Sequence, residues 1–394
     1  MRLPRLPQAQ RSPGNPIPEV ERRRRASFRA VLTVAVDATP LVGDRTGIGK
    51  AVTGLVSELA RRPDLSLVGY GLTVRGWRRL RHALPDSVRP ARAPMPAGAL
   101  LALWSRVDAA PVEWWAGRVD VVHGTNYAVP PAKRAGRLVT VWDLTAVHYP
   151  ELCTPTSRKY PGLVNRAVRD GAWVHTGSCA VAKEIVEHFG ADPARVRVIA
   201  PGIAVPVGVP APADSKPPYI LGIGTTEPRK DFPGLVAAFE RLAPSHPDLE
   251  LRIAGPEGWG EQQVRSAIAA SPCRDRIKRL GWVPDPGALI AGAAVFAYPS
   301  IYEGFGYPPL EAMALGVPVV ATAAGAVPET AGDAALTVAP GDPDALAEGL
   351  GRVLDDRELR QRLVERGTRR AAGYSWEAAG EAMSALYAEI AGAR

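Results

Sequence analysis

Short apolar runs of β type alternate with stretches of helical spacing along most of this chain, and the alternation occurs twice. In the first half the runs are Val31–Val36, Leu67–Leu72, Val119–Val122, Arg137–Val141, Trp173–His175 and Val196–Ile199. Between them, Gly49–Arg62 places Val52, Leu55, Val56 and Leu59 on one helical face, and Ala180–Phe189 forms a second helical stretch. Such short buried strands, each followed by a helix, predict a parallel α/β sheet. The pattern breaks at Pro201–Pro218, which holds six prolines and few bulky residues and reads as a linker. It then restarts with strands at Tyr219–Ile223, Leu249–Ala254, Ala294–Tyr298, Val317–Ala321 and Leu336–Val338, and a helix at Gly234–Leu242. Three helices, Asp344–Leu354, Glu358–Ala371 and Trp376–Ala391, close the chain. No fixed-period repeat is present. The expectation is two doubly wound α/β domains, 31–205 and 206–376, with the ligand in the cleft between them at the carboxyl ends of strands.

Length and composition agree: 394 residues with 46% apolar content suffice for two full cores. The formal charge of +8 is unevenly spread. Residues 1–30 carry 8 Arg against 2 Glu and read as a basic, disordered tail. Residues 31–205 carry +8, and residues 206–394 carry −6. Nucleic-acid binding therefore loses the support that a pI near 9.6 would lend it. Three scattered cysteines make no disulfide framework or zinc cluster, which suits a reducing, cytoplasmic compartment. The longest uncharged apolar stretch, Gly287 to Tyr302, contains Pro299 and falls short of the ~18–20 residues of a membrane span.

The segment richest in chemistry runs from Tyr298 to Ala314. A strand ends near Tyr298, a loop holds Gly304 and Gly306, and Pro308 or Pro309 opens a helix. The N–H groups there offer an anion site. Glu311, read as lying on the first helical turn, either accepts hydrogen bonds from a ribose diol or offsets the helix dipole. Glu303 either accepts from sugar hydroxyls or is solvated. After the first strand of the second domain comes Gly222-Ile-Gly-Thr225-Thr-Glu227-Pro-Arg229-Lys230. Glycines permit close backbone approach, and two adjacent cations suit a diphosphate. With 7 Lys against 41 Arg in the chain, Lys230 looks less accidental than an arginine would.

In the first domain, Gly43 to Lys50 lies between strand and helix, but Ala51 follows Lys50, so the nucleotide-hydrolysing P-loop order is missing. His123 stands at one strand end, and Asp143 and His148 at another. Asp342-Pro-Asp344 opens a helix and reads as a cap rather than a metal site. No zinc-protease, Cys-x-x-Cys or serine-hydrolase motif occurs. Arg75–Arg106 interleaves seven arginines with Trp77 and Trp104, a pattern suited to an anionic membrane surface or to a plain solvated basic face.

These motifs together resemble the retaining, GT-B-fold glycosyltransferases of family 4. Glu303-Gly-Phe-Gly-Tyr-Pro-Pro-Leu-Glu311-Ala-Met-Ala resembles the family's E-x7-E element, continued by Gly316–Ala321 and Val327-Pro-Glu329. Glu227-Pro-Arg-Lys230 resembles its donor-diphosphate loop. Gly47-Ile48-Gly49, His123-Gly-Thr, Asp143-Leu-Thr and Val196–Gly202 resemble weaker elements. The resemblance covers about 33 to 376. It implies that the second domain binds a nucleotide sugar and the first an acceptor, with the last helix, 377–394, crossing back to the first domain. It implies Glu311 on the ribose, Glu303 on the transferred sugar, and Arg229 and Lys230 on the diphosphate. Thr225, Gly304, Phe305, Gly306 and Leu310 would complete the donor site. His123 would lie near the reacting sugar, and Gly47–Gly49 near the diphosphate and acceptor. Two departures are visible. Thr225 stands where many members have Arg, and Trp142-Asp143-Leu144 replaces a frequent His-Asp-Leu.

The resemblance further implies a hexose transfer with retention, without a cofactor or metal, from GDP-mannose ahead of UDP-sugars. The acceptor would be a glycan, a lipid-linked glycan or a small molecule. A cytoplasmic enzyme, peripheral on the inner membrane face through Arg75–Arg106, is the matching location. Two other classes stay open: a GT-B-like sugar-nucleotide epimerase, and a non-catalytic nucleotide-sugar-binding homologue.

Overall fold

The computed structural model describes residues 31–43, 47–204 and 216–393. The expected tail, most of the Pro-rich linker and the loop residues Asp44 to Thr46 lie outside the described residues. The apolar runs form strands. The first sheet contains β1 (Leu32–Asp37), β2 (Leu65–Tyr70), β3 (Arg89–Pro90), β4 (Val121–Gly124), β5 (Gly136–Thr140), β6 (Trp173–Thr176) and β7 (Val196–Val198). All pairs are parallel, in the order β3-β2-β1-β4-β5-β6-β7. The second sheet contains β8 (Tyr219–Ile223), β9 (Glu250–Ala254), β10 (Ile277–Gly281), β11 (Val295–Tyr298), β12 (Val319–Thr322) and β13 (Ala335–Val338). It too is parallel, in the order β10-β9-β8-β11-β12-β13.

Parallel sheets need crossover helices. Those used below are α1 (Gly47–Leu59), α2 (Cys179–Phe189), α3 (Phe232–Leu242), α4 (Tyr307–Ala314), α5 (Pro343–Asp355), α6 (Arg357–Ala371) and α7 (Trp376–Gly392). Their ends follow local chemistry. Ser178 Oγ accepts from the Val181 N–H to cap α2, and Gly190 at φ +62° ends it. Asp342, Asp356 and Ser375 cap α5, α6 and α7 in the same way. The reading of Asp342 as a cap agrees with this geometry.

Strand order reverses between β1 and β4 in one sheet and between β8 and β11 in the other. Ligand crevices of doubly wound folds lie at such switch points. The segments following β1, β8 and β11 therefore carry Gly43 and Gly47–Lys50, Gly224–Lys230 and Ser300–Gly306 towards one another.

The last helix, α7, belongs to the core of the first sheet. Met383, Leu386, Tyr387 and Ile390 pack in one cluster with Val34, Val36, Val52 and Leu138. Gly54 on α1 makes room for this, because a Cβ there would lie 2.1 Å from the Trp376 ring. From Leu32 onward the chain is one compact unit. Among the described residues, no helix is long and apolar enough to cross a membrane.

The basic segment does not present all of its aromatic residues to solvent. Its seven arginines are exposed. Trp104 is buried with Leu100 beneath the first sheet, and its indole N–H donates to the Ala109 carbonyl at 3.1 Å. Trp77 is half-buried, so the exposed tryptophan of this region is Trp114.

Candidate active site

A cavity of about 600 Å³ opens where the two sheets' switch points face each other, within the usual range for small-molecule sites. The first half contributes Gly43, Gly47, Ile48, Lys50, Trp142 and Asp143 to its wall. The second contributes Gly224, Thr225, Glu227, Arg229, Lys230 and the stretch Glu303–Pro308 with Glu311. Close approach of the halves depends on Gly304: a Cβ there would lie 1.8 Å from the Trp142 carbonyl oxygen. Across the same seam, Glu329 accepts from the Cys179 and Ala180 N–H groups at 2.8 and 2.9 Å, at the start of α2.

The charged centre is built by local backbone geometry. After β8 the chain makes a tight turn over Pro228–Lys230, and Asp231, at φ +46°, caps α3 by accepting from the Gly234 N–H. The turn aims Arg229 and Lys230 together at Glu303. Glu303 Oε1 lies 2.7 Å from both Arg229 Nη1 and Lys230 Nζ. Arg229 also donates to the Tyr302 carbonyl at 2.8 Å and pairs with Glu227 at 3.3 Å. Lys230 donates to the Tyr298 hydroxyl at 3.0 Å, which leaves one of its three N–H donors free of these contacts. Burial would raise the Glu303 pKa, but the charges of Arg229 and Lys230 and their hydrogen bonds outweigh it and hold the carboxyl at about 2. Burial pushes Lys230 below the usual lysine value, with the Glu303 charge opposing it. The cluster thus holds a carboxylate and two cations on the wall of a partly closed cavity.

Helix α4 begins at Tyr307, one residue ahead of the expected prolines, with Gly306 at φ +95° before it. Glu311 is consequently on the second turn, not the first. Pro308 and Pro309 carry no N–H, so donors for an anion come from Tyr307 and the Gly304–Gly306 loop. Glu311 Oε1 pairs with Lys50 Nζ of α1 at 2.6 Å, joining residues 261 apart across the cavity. The sequence excludes a P-loop here and leaves open a loop that approaches a ligand or the facing domain, which is the approach this pair makes. Nothing local marks Lys50 itself, because its partner comes from the other half of the chain.

Most of the expected site residues line this one cavity: Gly47, Ile48, Thr225, Arg229, Lys230, Glu303, Gly304, Phe305, Gly306 and Glu311. Three do not. Gly49 is buried on α1, and Leu310 is fully buried in the core of the second sheet. His123 corrects the expectation most. Its side chain is 0% exposed and lies within the first sheet's buried layer rather than at the cavity.

The hydrogen bonds of His123 fix its role. The Ile199 carbonyl can only accept, so His175 Nε2, 3.0 Å away, carries a proton. His175 Nδ1 then accepts from Thr140 Oγ1 at 2.9 Å. Thr140 in turn accepts from His123 Nε2 at 2.7 Å, and His123 Nδ1 accepts from the Tyr387 hydroxyl at 2.8 Å. This one-directional chain ties α7 to β4, β5 and β6 and ends just before Pro201. Burial lowers both histidines, His123 well below its ordinary value and His175 to about 4, so both are neutral.

Sequence reasoning gave Asp143 little weight, yet it stands at a junction. It lines the main cavity and a second one of about 170 Å³ in the first half. Its Oδ1 accepts from the Thr145 N–H at 2.9 Å, and its own N–H donates to the Tyr127 hydroxyl at 3.0 Å. Trp259 of the second half reaches over the second cavity and donates to the Leu152 carbonyl at 3.0 Å.

Residues 210–370 match the family model of glycosyl transferases group 1. The chain is 40% identical, over 40% of its length, to the O-antigen chain mannosyltransferase B of Escherichia coli, covering 42% of that protein. It is 34% identical, over 59% of its length, to the MMP alpha-(1->4)-mannosyltransferase of Mycolicibacterium hassiacum, covering 58% of it. The chain thus spans about half the length of these curated relatives. Among solved structures, the sucrose-phosphate synthase of Thermosynechococcus elongatus superposes with a TM-score of 0.72 at 19% identity, over 92% of this chain and 100% of that one. At that identity the likeness speaks to the fold, and the fold is GT-B: two parallel α/β sheets facing across a cleft.

Proposed function

We propose that this chain, which belongs to the glycosyl transferases group 1 through residues 210–370, moves a hexose from a nucleotide diphosphate sugar to a hydroxyl-bearing acceptor. The observation that carries the reading is the Glu303–Arg229–Lys230 cluster on the wall of a 600 Å³ cleft beside the start of α4. In the donor complex the diphosphate takes the two cations, and the sugar's hydroxyls donate to Glu303. As the bond from the anomeric carbon to the phosphate oxygen breaks, negative charge grows on the departing diphosphate. Arg229, Lys230 and the N–H groups of the Gly304–Tyr307 stretch stabilise that charge. Glu311 accepts from the ribose diol, with Lys50 either moving aside or keeping the second oxygen.

Transfer proceeds with retention at the anomeric carbon, without a resident metal supplying the countercharge. GDP-mannose is the donor this reading favours, supported by two relatives that are named mannosyltransferases. A thermal-shift panel of GDP- and UDP-sugars tests the donor. A ligand that binds only the folded state adds about 2.7 kcal/mol of stability at a hundredfold excess over its Kd. GDP-mannose is expected to raise the midpoint most. A UDP-sugar raising it more would move the donor assignment, and no shift with any of them would contradict the reading.

A further inference from the structure

The smaller cavity differs in character from the cleft it adjoins. Its volume, about 170 Å³, is close to that of an engineered cavity of about 150 Å³ that holds one benzene ring. Leu144, Val147, Val164 and Phe189 give it an aliphatic and aromatic wall. Tyr127 and Tyr160 line it as a parallel stacked pair, with ring centroids 4.7 Å apart and planes 6° apart. Tyr127 holds that ring from a backbone at φ +58°, a conformation costly to a bulky residue.

The charges at the cavity are one-sided. Asp143 and Glu227 bring two carboxylates. Among the described residues, the one cation on the wall, Arg229, is already paired with Glu303 and Glu227 and donates to the Tyr302 carbonyl. A phosphate entering here would meet no unpaired cation among the described residues and would lose its hydration without compensation from them. An uncharged group loses nothing of that kind and gains apolar and aromatic contact.

The two cavities meet at Ile48, Asp143, Glu227 and Arg229. A molecule seated in the small one therefore points one end into the main cleft. Asp143 stands at that junction with its carboxylate already held by the Thr145 N–H and the Tyr127 hydroxyl, and a carboxylate's two oxygens have room to accept from a further hydroxyl there.

We propose that the small cavity seats the non-reacting end of the acceptor, and that this end is uncharged and apolar, about one ring or a short alkyl group in size. Asp143 orients the hydroxyl that receives the sugar. The inference rests on the transferase reading and adds the chemical class of the acceptor.

Saturation-transfer NMR on the full chain tests it with two probes that share one sugar, 4-nitrophenyl α-D-mannopyranoside and α-D-mannose 1-phosphate. The aryl glycoside is expected to bind, with saturation strongest on its ring protons, and the sugar phosphate to bind at least tenfold more weakly. Ala146→Trp, which fills the cavity from one wall, should weaken aryl binding tenfold or more while the nucleotide-sugar thermal shift stays unchanged. Ser157→Phe fills it from another wall and serves if the first variant does not fold. Sugar phosphate binding as tightly as the aryl glycoside, or aryl binding indifferent to both fillings, overturns this inference alone. A protein that no nucleotide sugar stabilises overturns the transferase reading and the acceptor role with it, whichever probe binds.

Discussion

Replacing Lys230 with alanine is expected to lower kcat by about 10²–10³-fold, the size of effect seen when one preorganised charge stabiliser is removed from an active site. The expectation follows from the pairing at Glu303. Lys230 and Arg229 both lie 2.7 Å from the same carboxylate oxygen, so the variant still leaves Glu303 one cation. The fold therefore survives, and the loss falls on the leaving group, which now departs with one positive partner instead of two. Losing Lys230 also lets the Glu303 pKa rise from about 2, because one of the charges holding it down has gone. The measurement is steady-state kinetics beside a thermal melt. A kcat within twofold of wild type, in a folded variant, would contradict the role given to Lys230.

His123→Ala should do the opposite: a loss of about 3–5 kcal/mol of stability with kcat changed by no more than a few-fold in the protein that remains folded. Removing the imidazole leaves the Tyr387 hydroxyl and Thr140 Oγ1 each short of a partner in a buried layer, at about 1–3 kcal/mol apiece, and opens a cavity besides. The same chain predicts acid sensitivity. The folded His175 pKa, about 4, lies below its ordinary 6.5, so between those values the unfolded chain takes up a proton that the folded chain refuses. Stability is full above pH 6.5 and is lost as the pH falls towards 4, by about 3 kcal/mol from His175 alone, with His123 adding to it in the same direction. Chemical denaturation as a function of pH, on wild type and variant, checks both statements. A stable His123→Ala protein with kcat down a hundredfold would restore His123 to the chemistry.

The comparison of these two residues shows what the sequence makes legible here. Arg229, Lys230, Glu303 and Glu311 sit on two short segments, each following a strand, and strand ends of doubly wound sheets face the crevice. Their spacing along the chain is nearly their spacing in space, so they can be picked out by reading. His123 also sits at a strand end, but all four residues of β4 are buried. What covers its ring is Tyr387 of α7, 264 residues further on. Local pattern carries no information about that partner. Lys50 and Glu311 were separated from view in the same way. Asp143 carries a strand-end position and a weak family resemblance in the sequence, but the second cavity that it lines is created by packing alone. The strand missed in the second sheet, β10, alternates Ile277 and Arg279 with exposed Lys278 and Leu280 on a sheet edge, where continuous apolar character is not required. The two-residue β3, Arg89–Pro90, is too short to register as a run at all.

The central claim is that the cleft between the sheets is a nucleotide site, gripped at the diphosphate by Arg229 and Lys230 and at the ribose by Glu311. Calorimetric titration of GDP and of UDP into the wild-type protein and into Glu311→Ala tests it most directly. The account predicts that at least one of the two nucleotides binds the wild type. It also predicts that the variant weakens that binding tenfold or more, about 1.4 kcal/mol, as expected for lost charge-assisted hydrogen bonds. Binding of neither nucleotide, or binding that Glu311→Ala leaves untouched, would contradict it.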